Sequence, residues 1–312
     1  MHSREIDGQT LTLVPSGWTY ERTFVLYDKE TGSLWYPYKN GLMAIQGKYF
    51  KRVLPEVSHE VTRWKKWIKK HPDSPHMEQA LFLKGQAWFQ RGRYYQAFLA
   101  YDELLNSYGA GKFFEPALEQ EVEIARRFLA GKKRIIWGFI PASARAEAVE
   151  ILDRVAEHWP GSELAATALM MQADYFHRSR RFIEAQQTYQ VLCESYSQSP
   201  LYRDALLRNA EATHAQYRGP FYDATNLNNA RFRYERFRLR FPDKARELGI
   251  EERLVRLTDQ QAEKEFKIAD YYRRTHRLSA ARYYWTYIAQ RWPRSDYADL
   301  AVTLLEQNPQ EQ

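Results

Sequence analysis

The residues of this chain that could do chemistry are scattered rather than grouped. Its eight histidines form neither an HExxH motif nor a Cys/His pattern with metal-ligand spacing. His158 stands beside Trp159 and Pro160 at the expected end of a helix, where a histidine typically caps the last carbonyls. We therefore predict no catalytic residues, no metal site and no cofactor, and we predict that the protein is not an enzyme.

Two other candidate sites have simpler structural interpretations. The stretch YGAGKFF (108–114) resembles a phosphate-binding loop, but Asn106 replaces the first glycine and Phe113 replaces the Ser or Thr that must bind magnesium. We interpret this stretch as a turn between helices. Cys193, the only cysteine, follows Ala185 by eight residues, on the face of its helix that we expect to be buried. It therefore reads as an inert core thiol rather than a nucleophile.

The composition is typical of a folded protein with a small basic excess. The chain has 312 residues, 44% of them hydrophobic and 27% charged, and 46 Lys and Arg stand against 39 Asp and Glu. Such an excess favours anionic partners only weakly. No stretch approaches the roughly 18 apolar residues of a membrane span, and the N-terminus lacks the basic-then-apolar form of a signal peptide. We expect a soluble chain, and whether an export segment lies further upstream is left open.

The elements that would carry any site are helices from about residue 76 onward, and these helices repeat. Segments 80–105, 168–193 and 265–290 each combine a small residue, a ring three positions later, an alanine twelve positions later, and a second ring four positions after that alanine. The members are Gly85, Trp88, Ala97 and Tyr101; Ala173, Phe176, Ala185 and Tyr189; and Ala269, Tyr272, Ala281 and Trp285. Small residues let paired helices approach closely while rings fill the remaining space. The pattern resembles the tetratricopeptide repeat (TPR), a helix–turn–helix unit of about 34 residues.

Five units are predicted, and two of them carry insertions. The alanines of the second helices are Ala97, Ala148, Ala185, Ala230 and Ala281. Excess residues fall at 131–142 in the second unit and at 218–225 in the fourth. We also expect a helix at 57–75, closed by Pro72, and a capping helix at 296–307.

These observations predict an all-α fold, a TPR-type α-solenoid of about five helix pairs over residues 51–307. A short β-containing segment precedes it at 1–50, and a tail follows at 308–312. The N-terminal prediction rests on FVLYDKETGSLWYPY (24–38), which is typical of a β-hairpin with its turn at Lys29–Ser33.

The candidate partner-binding groove consists of the non-core positions of first helices, which line the concave surface of a TPR stack. These positions are Gln79, Phe82, Gln86 and Phe89 in the first unit, and Thr167, Met170, Asp174, His177 and Arg178 in the third. Their mixture of rings, amides and charges suits an extended peptide or a partner helix.

The insertion RIIWGFIP (134–141) is a second candidate contact because it concentrates large apolar groups in a turn. Its apolar residues are Ile135, Ile136, Trp137, Phe139 and Ile140. Two interpretations are open. The segment either folds back onto a neighbouring repeat, which we favour because local collapse needs no second molecule, or docks a partner or the lipid interface.

Two basic stretches, 63–72 and 230–246, alternate lysine or arginine with rings. We interpret them as solvated faces whose basic stems pack on aromatic side chains. The alternative is an anionic partner, such as phospholipid head groups or an acidic protein. No recognised RNA-binding motif accompanies the charge, so we expect no nucleic acid.

Residues 262–301 are similar to the last repeat of the BamD-like (YfiO) outer-membrane lipoproteins, in an Ala-Glu-Lys-Glu start, a paired-tyrosine helix and a closing aromatic-Pro run. The resemblance extends in layout over about 56–307, with HPDSP, WPGSE and WPRSD ending helix pairs. It implies a non-enzymatic adaptor in β-barrel assembly, whose N-terminal repeats receive substrate or partner peptides and whose C-terminal repeats bind the barrel component. The chain departs from the family in lacking a lipobox cysteine and in its strand-like N-terminus and two insertions.

The partners implied by this resemblance are other proteins, namely outer-membrane assembly components or extended peptides, with a possible peripheral membrane contact. The location implied is the periplasmic face of the bacterial outer membrane if an upstream export signal exists, and the cytoplasm otherwise. A generic TPR scaffold in another envelope or cytoplasmic complex is the alternative. A helical-repeat domain that accompanies an enzyme encoded elsewhere is a third.

Overall fold

The computed structural model describes residues 2–21, 23–39, 41–56, 74, 76–136 and 139–309. The chain divides into two compact units, Met1–Ser74 and Pro75–Gln312. The first unit therefore extends past residue 50, where the sequence predicted its end. The helix predicted at 57–75, together with the basic stretch 63–72, lies outside the described residues apart from Ser74.

The first unit is built from antiparallel strands. A two-stranded ribbon pairs β1 (Glu5–Ile6) with β2 (Gln9–Thr10), and a five-stranded meander follows in chain order. Its strands are β3 (Leu13–Tyr20), β4 (Thr23–Asp28), β5 (Leu34–Tyr38), β6 (Gly41–Gln46) and β7 (Val53–Pro55). The hairpin predicted at 24–38 is β4–β5, in which Leu26 lies opposite Trp35. The predicted β-containing N-terminal segment is thus confirmed.

One face of this meander forms a small core around Trp35, with Leu42, Ala44 and Leu54 from neighbouring strands. The hairpin turn is held by Asp28, which is fully buried. Trp35 Nε1 donates to Asp28 Oδ2 over 2.8 Å, and the Thr31 hydroxyl donates to Oδ1 over 2.7 Å. Burial opposes ionisation of the carboxyl, but these hydrogen bonds outweigh it and lower the pKa of Asp28.

The second unit is helical. Its described helices are α1 (Met77–Gln90), α2 (Tyr94–Ser107), α3 (Phe114–Leu129), α4 (Arg145–His158), α5 (Glu163–Arg178), α6 (Phe182–Ser195), α7 (Tyr202–His214), α8 (Thr225–Arg240), α9 (Pro242–Glu247), α10 (Ile250–Arg274), α11 (Leu278–Arg291) and α12 (Asp296–Gln307). From α1 to α8, and again from α10 to α12, each helix packs on the next one in the chain, and α10 also packs on α8. This is the helix-pair stacking of a TPR-type solenoid.

Small residues hold these helices together. The predicted second-helix alanines, Ala97, Ala148, Ala185, Ala230 and Ala281, are all 0% exposed. Tyr101, Tyr189 and Trp285, four residues after the first, third and fifth alanines, are fully buried as well. The repeat spacing is therefore confirmed: small side chains allow close approach, and rings fill the gaps between helices.

The Trp-Pro phrases between pairs end one helix and begin the next. Within WPGSE, the Ser162 hydroxyl accepts a hydrogen bond from the backbone N–H of Ala165 over 3.0 Å. Within WPRSD, the Ser295 hydroxyl accepts one from the backbone N–H of Ala298 over 3.1 Å. Both serines are N-caps, which satisfy an otherwise unpaired donor at the first turn of α5 and of α12.

Helix α10 is longer than the other described helices, at 25 residues, and belongs to two hydrophobic clusters. Ile250, Leu254 and Leu257 from its first half join the core that also contains residues of α5–α8. Ala262 and Ala269 from its second half join the last core, with Trp285 of α11. One rod therefore contributes to both cores.

The two predicted insertions have different structures. Between α3 and α4 the chain forms an antiparallel hairpin of β8 (Lys133–Ile136) and β9 (Ile140–Ser143). Residues 218–224 form an irregular segment, and residue 225 of the predicted insertion is the first residue of α8. Lys264 Nζ donates to the carbonyl of Tyr222 over 2.6 Å. No described helix is long and apolar enough to cross a membrane.

Candidate partner-binding surface

The first helices α5, α7 and α10 are linked to one another by polar side chains. Asp174 on α5 accepts a hydrogen bond from the Tyr189 hydroxyl and lies 3.6 Å from Arg208 Nε on α7. Farther along, Glu211 of α7 pairs with Arg253 of α10. The polar links therefore extend across three successive first helices.

A third link, between the His214 ring nitrogen Nε2 and Gln260 Oε1, spans 2.8 Å from α7 to α10. Burial lowers the pKa of His214, so its ring is neutral at neutral pH. Burial, and then the hydrogen bond to Asp174, raise the pKa of Tyr189, so its hydroxyl stays a donor. The links hold these surface groups in fixed positions, which reduces the entropy lost when a partner binds.

The predicted groove residues of α5 lie along this linked surface to different extents. Arg178 is exposed, whereas Met170 is half-buried and packs against the hydrophobic core. The Thr167 hydroxyl donates to the carbonyl of Glu163 over 2.9 Å, and the His177 ring lies 5.4 Å from that of Phe182. Arg178 is therefore the most accessible of the five predicted α5 positions.

The predicted groove residues of α1 need one correction. Phe82 is only 8% exposed, and its ring stacks on Phe113 at 4.9 Å, because the turn after α2 returns over α1. Phe82 is thus a core residue that a partner cannot reach. Phe89 is half-buried beneath the guanidinium of Arg127, 4.6 Å from the ring centre. Gln79 is exposed and Gln86 is half-buried.

The inserted hairpin presents apolar side chains from an anchored base. Arg134 Nη1 lies 3.0 Å from Glu147 Oε1, and its guanidinium lies 5.0 Å from the ring of Tyr95. At the other end Phe139 is 76% exposed, and Ile140 is exposed as well. Ile135 is half-buried, only the backbone of Ile136 is described, and Trp137 lies outside the described residues. Exposure of Phe139 matches the docking interpretation of this insertion better than the folded-back one.

Most basic side chains of the stretch 230–246 make ion pairs or hydrogen bonds within the chain. Arg231 pairs with Glu235 at 3.0 Å and Arg238 with Glu251 at 2.7 Å, while Arg233 donates to a glutamine of α6. Arg236 and Arg240 are exposed. The stretch therefore behaves for the most part as the solvated face that the sequence predicted.

Cys193 and the loop at 108–114, which the sequence analysis considered for chemistry, have structural roles. Cys193 is buried, and burial raises the pKa of its thiol to about 11, as expected for an inert core cysteine. In the loop at 108–114, the backbone N–H of Phe113 donates to Glu78 Oε1 over 2.6 Å. This backbone donor is thus taken by a carboxylate of α1. Within the described part of the chain, no three His, Cys, Asp or Glu side chains are placed to hold a metal.

The structure contains a buried acid that sequence reasoning missed. Glu121 on α3 is fully buried, and neither of its carboxyl oxygens has a hydrogen-bond partner among the described residues. Burial, and then the nearby Asp102, raise the pKa of Glu121 well above its usual value, while Arg154 opposes the shift. Its surroundings therefore favour the protonated form of the carboxyl. Its position three residues after Leu118 and four before Ala125 is a core position, a signal present in the sequence.

These observations define the class of protein: the second unit is a helical-repeat structure of the TPR type. The chain belongs to the family described as "Protein of unknown function (DUF3179)", whose match covers residues 1–158, the whole first unit and helices α1–α4. No curated protein matches the chain. The resemblance of residues 262–301 to BamD-like proteins stays a prediction.

Several solved structures are similar to this chain. The C-terminal part of a TPR repeat-containing protein from Cytophaga hutchinsonii is 15% identical, covers 72% of each chain and has a TM-score of 0.34. MamA is 12% identical, covering 70% of this chain and 92% of its own, with a TM-score of 0.33. PilW, a type IV pilus biogenesis factor, is 13% identical, covering 73% of this chain and 100% of its own, with a TM-score of 0.29. Similarity at this level carries no argument about function, and the repeat assignment rests on the helix packing.

Proposed function

We propose that this protein is a non-enzymatic adaptor whose TPR-type helices bind a partner polypeptide. The observation that carries the proposal is the row of polar links from Asp174 through Arg208 and from Glu211 to Arg253. These links fix a mixed polar surface on α5, α7 and α10, next to the exposed Arg178. A fixed surface of amides and charges suits an extended peptide or a partner helix.

The hairpin supplies a second, apolar contact for the same role. The Arg134–Glu147 ion pair holds its base, and Phe139 is exposed at its far end. A large exposed ring is the kind of residue that carries binding energy at interfaces, because docking buries a large apolar area. A contact of this hairpin with the membrane surface stays an alternative to a protein contact.

Site-specific photo-crosslinking in cells tests the adaptor proposal. A benzoylphenylalanine placed at position 178 is expected to capture a partner polypeptide, whereas the same group at the exposed Gln187 of α6 is not. For the hairpin, position 139 is expected to capture a partner and the exposed Leu300 of α12 is not. Equal capture at test and control positions, or none at any of them, would contradict the proposal.

The narrower proposal is a BamD-like role in β-barrel protein assembly at the periplasmic face of the bacterial outer membrane. It is supported by the resemblance of residues 262–301 and by the buried Ala269, Ala281 and Trp285 of that repeat. Mass spectrometry of the proteins captured at position 178, combined with fractionation of the cells, tests it. Outer-membrane assembly proteins are expected. Partners confined to another envelope complex or to the cytoplasm would support the generic TPR scaffold instead.

A further inference from the structure

A cavity of about 710 Å³ lies between α8, α10 and the end of α11, on residues that the predicted groove does not include. Its walls carry rings from two helices. Phe232 on α8 is 66% exposed, and the Tyr287 and Trp292 rings make an edge-to-face contact with centroids 5.5 Å apart. The exposed ring of Phe232 gives the cavity an apolar surface that a ligand can reach.

The same cavity holds an excess of positive charge. It is lined by four basic side chains, Arg231, Lys264, Arg291 and Arg294, and by two acidic ones, Glu235 and Glu265. Glu235 is taken up by its ion pair with Arg231. Burial raises the pKa of Glu265, with Lys264 opposing, which disfavours its charged form.

Two of the basic groups are left without an acidic partner. Among the described residues, neither Arg291 nor Arg294 makes an ion pair. Both are exposed, on either side of Trp292 and Pro293. Arg291 ends α11, where the helix dipole contributes about half a negative charge, less than either guanidinium provides. The cavity therefore favours an anionic group.

We propose that this cavity binds an acidic peptide segment of a partner protein. Carboxylates of the peptide pair with Arg291 and Arg294, since a guanidinium matches a carboxylate in geometry as well as charge. A large apolar side chain of the peptide packs against Phe232 and Tyr287. The site shares α10 with the proposed adaptor surface but is lined by different residues, so it can fail without the proposed adaptor function failing.

A peptide fits the site better than other polyanions do. In the wall, Arg231 and Glu235 neutralise each other and Glu265 lies near Lys264, so the unpaired positive charge is confined to Arg291 and Arg294. A short acidic peptide can match these two charges, whereas the continuous charge of a nucleic acid or of an anionic membrane finds no match along the rest of the wall. The concave form of the site also gives little contact to a flat lipid surface.

Fluorescence anisotropy with the full chain tests the proposal. The probe is a fluorescein-labelled heptapeptide with the sequence Asp-Glu-Asp-Phe-Glu-Asp-Glu, and a second probe replaces its Phe with Ala. The double variant Arg291→Glu/Arg294→Glu is expected to bind the first probe at least tenfold more weakly. The matched control Arg91→Glu/Lys112→Glu makes the same change in net charge at exposed positions that follow α1 and α2, and it is expected to change affinity less than threefold. Raised salt weakens binding to the parent.

A neutral variant keeps the test valid if the charge reversal disturbs folding, which circular dichroism reports. Phe232→Ala is expected to weaken binding of the Phe-containing probe at least threefold and binding of the Ala-containing probe by less. Equal weakening of both probes would mean that Phe232 does not contact the apolar side chain, which overturns the proposed site.

Three other results would also overturn the proposal. The first is equal weakening by the control double variant, which places binding outside the cavity. The second is that the unmodified protein binds neither peptide but binds a twenty-nucleotide poly(U) or phosphatidylserine vesicles, and that Arg291→Glu/Arg294→Glu abolishes this binding. The third is a dimer in sedimentation velocity that the same variant dissociates, which identifies the occupant as a second copy of the chain.

Discussion

The ring of Tyr101 on α2 lies so close to Gly85 on α1 that a Cβ added to Gly85 would come within 2.4 Å of its Cε1. No real side chain tolerates that distance, and Tyr101 is fully buried, so it has no free space to move into. The first helix pair therefore depends on the absence of a single methyl group.

Replacing that glycine tests the close packing of the repeat. Gly85→Ala is expected to destabilise the protein by about 1–3 kcal/mol, because overpacking outweighs the better helix propensity of alanine. Urea denaturation measures the change. Gly109→Ala is the matched control, since its nearest neighbour would be 3.9 Å away, and it is expected to shift stability by less than about 0.5 kcal/mol. Equal effects of the two changes would remove the packing argument.

The buried Glu121 makes stability depend on pH. Its folded-state pKa lies well above the unfolded value, so the folded chain holds a proton that the unfolded chain releases. Stability from this group is complete below the unfolded pKa and is lost as pH rises towards the folded pKa, with a slope of up to about 1.4 kcal/mol per pH unit. Glu121→Gln is expected to flatten this slope in denaturation curves between pH 5 and pH 9.

The exposed Glu119 on the same helix provides the control for that measurement. Glu119→Gln is expected to leave the slope in place. A parent protein whose stability does not fall over this range would show that Glu121 ionises freely.

The Arg134–Glu147 ion pair is expected to control the dynamics of the inserted hairpin. Arg134→Ala removes the pair and the contact with Tyr95, so the amides of β8 and β9 should exchange with deuterium about tenfold faster. Hydrogen–deuterium exchange with mass spectrometry over 133–143 measures this change. Lys133→Ala, an exposed neighbour in the same strand, should have little effect. Similar exchange in both variants would mean that backbone pairing alone holds the hairpin.

Cys193 is expected to resist thiol reagents in the folded protein. Its thiol is buried and its pKa is raised to about 11, so very little thiolate is present at pH 8 and reagents have poor access to it. Ellman's reagent should titrate no thiol in the native protein within an hour and one thiol in denaturant. Rapid labelling of the native protein would show that α6 opens readily at this position.

The repeat architecture was predictable because it depends on a local periodic pattern. The repeated alanines, followed four residues later by a ring in the first, third and fifth units, are local signals in the sequence, and all five alanines are buried as expected. Phe82 was assigned wrongly to the groove because its burial comes from Phe113, a contact between a turn and a preceding helix that the repeat frame does not contain. The strands of the inserted hairpin were not predicted either, since its apolar run is too short for periodicity to distinguish strand from loop.

The candidate site was less predictable than the fold. Links such as Glu211–Arg253 join residues 42 positions apart, and a charged residue on a helix surface gives no indication of its partner. The cavity at Arg291 and Arg294 is likewise defined by three helices that meet only in space. Glu121 could have been found, because an acid at a core spacing is visible in the sequence.

Because α10 contributes to two hydrophobic cores, the stabilities of the last two repeats are coupled. Peeling away the C-terminal pair would pull Ile250 and Leu254 out of the preceding core, so the end of the array resists fraying that a string of independent units would permit. A force on a ligand bound at the end of α11 is thereby transmitted through the continuous helix α10 to the core that contains residues of α5–α8.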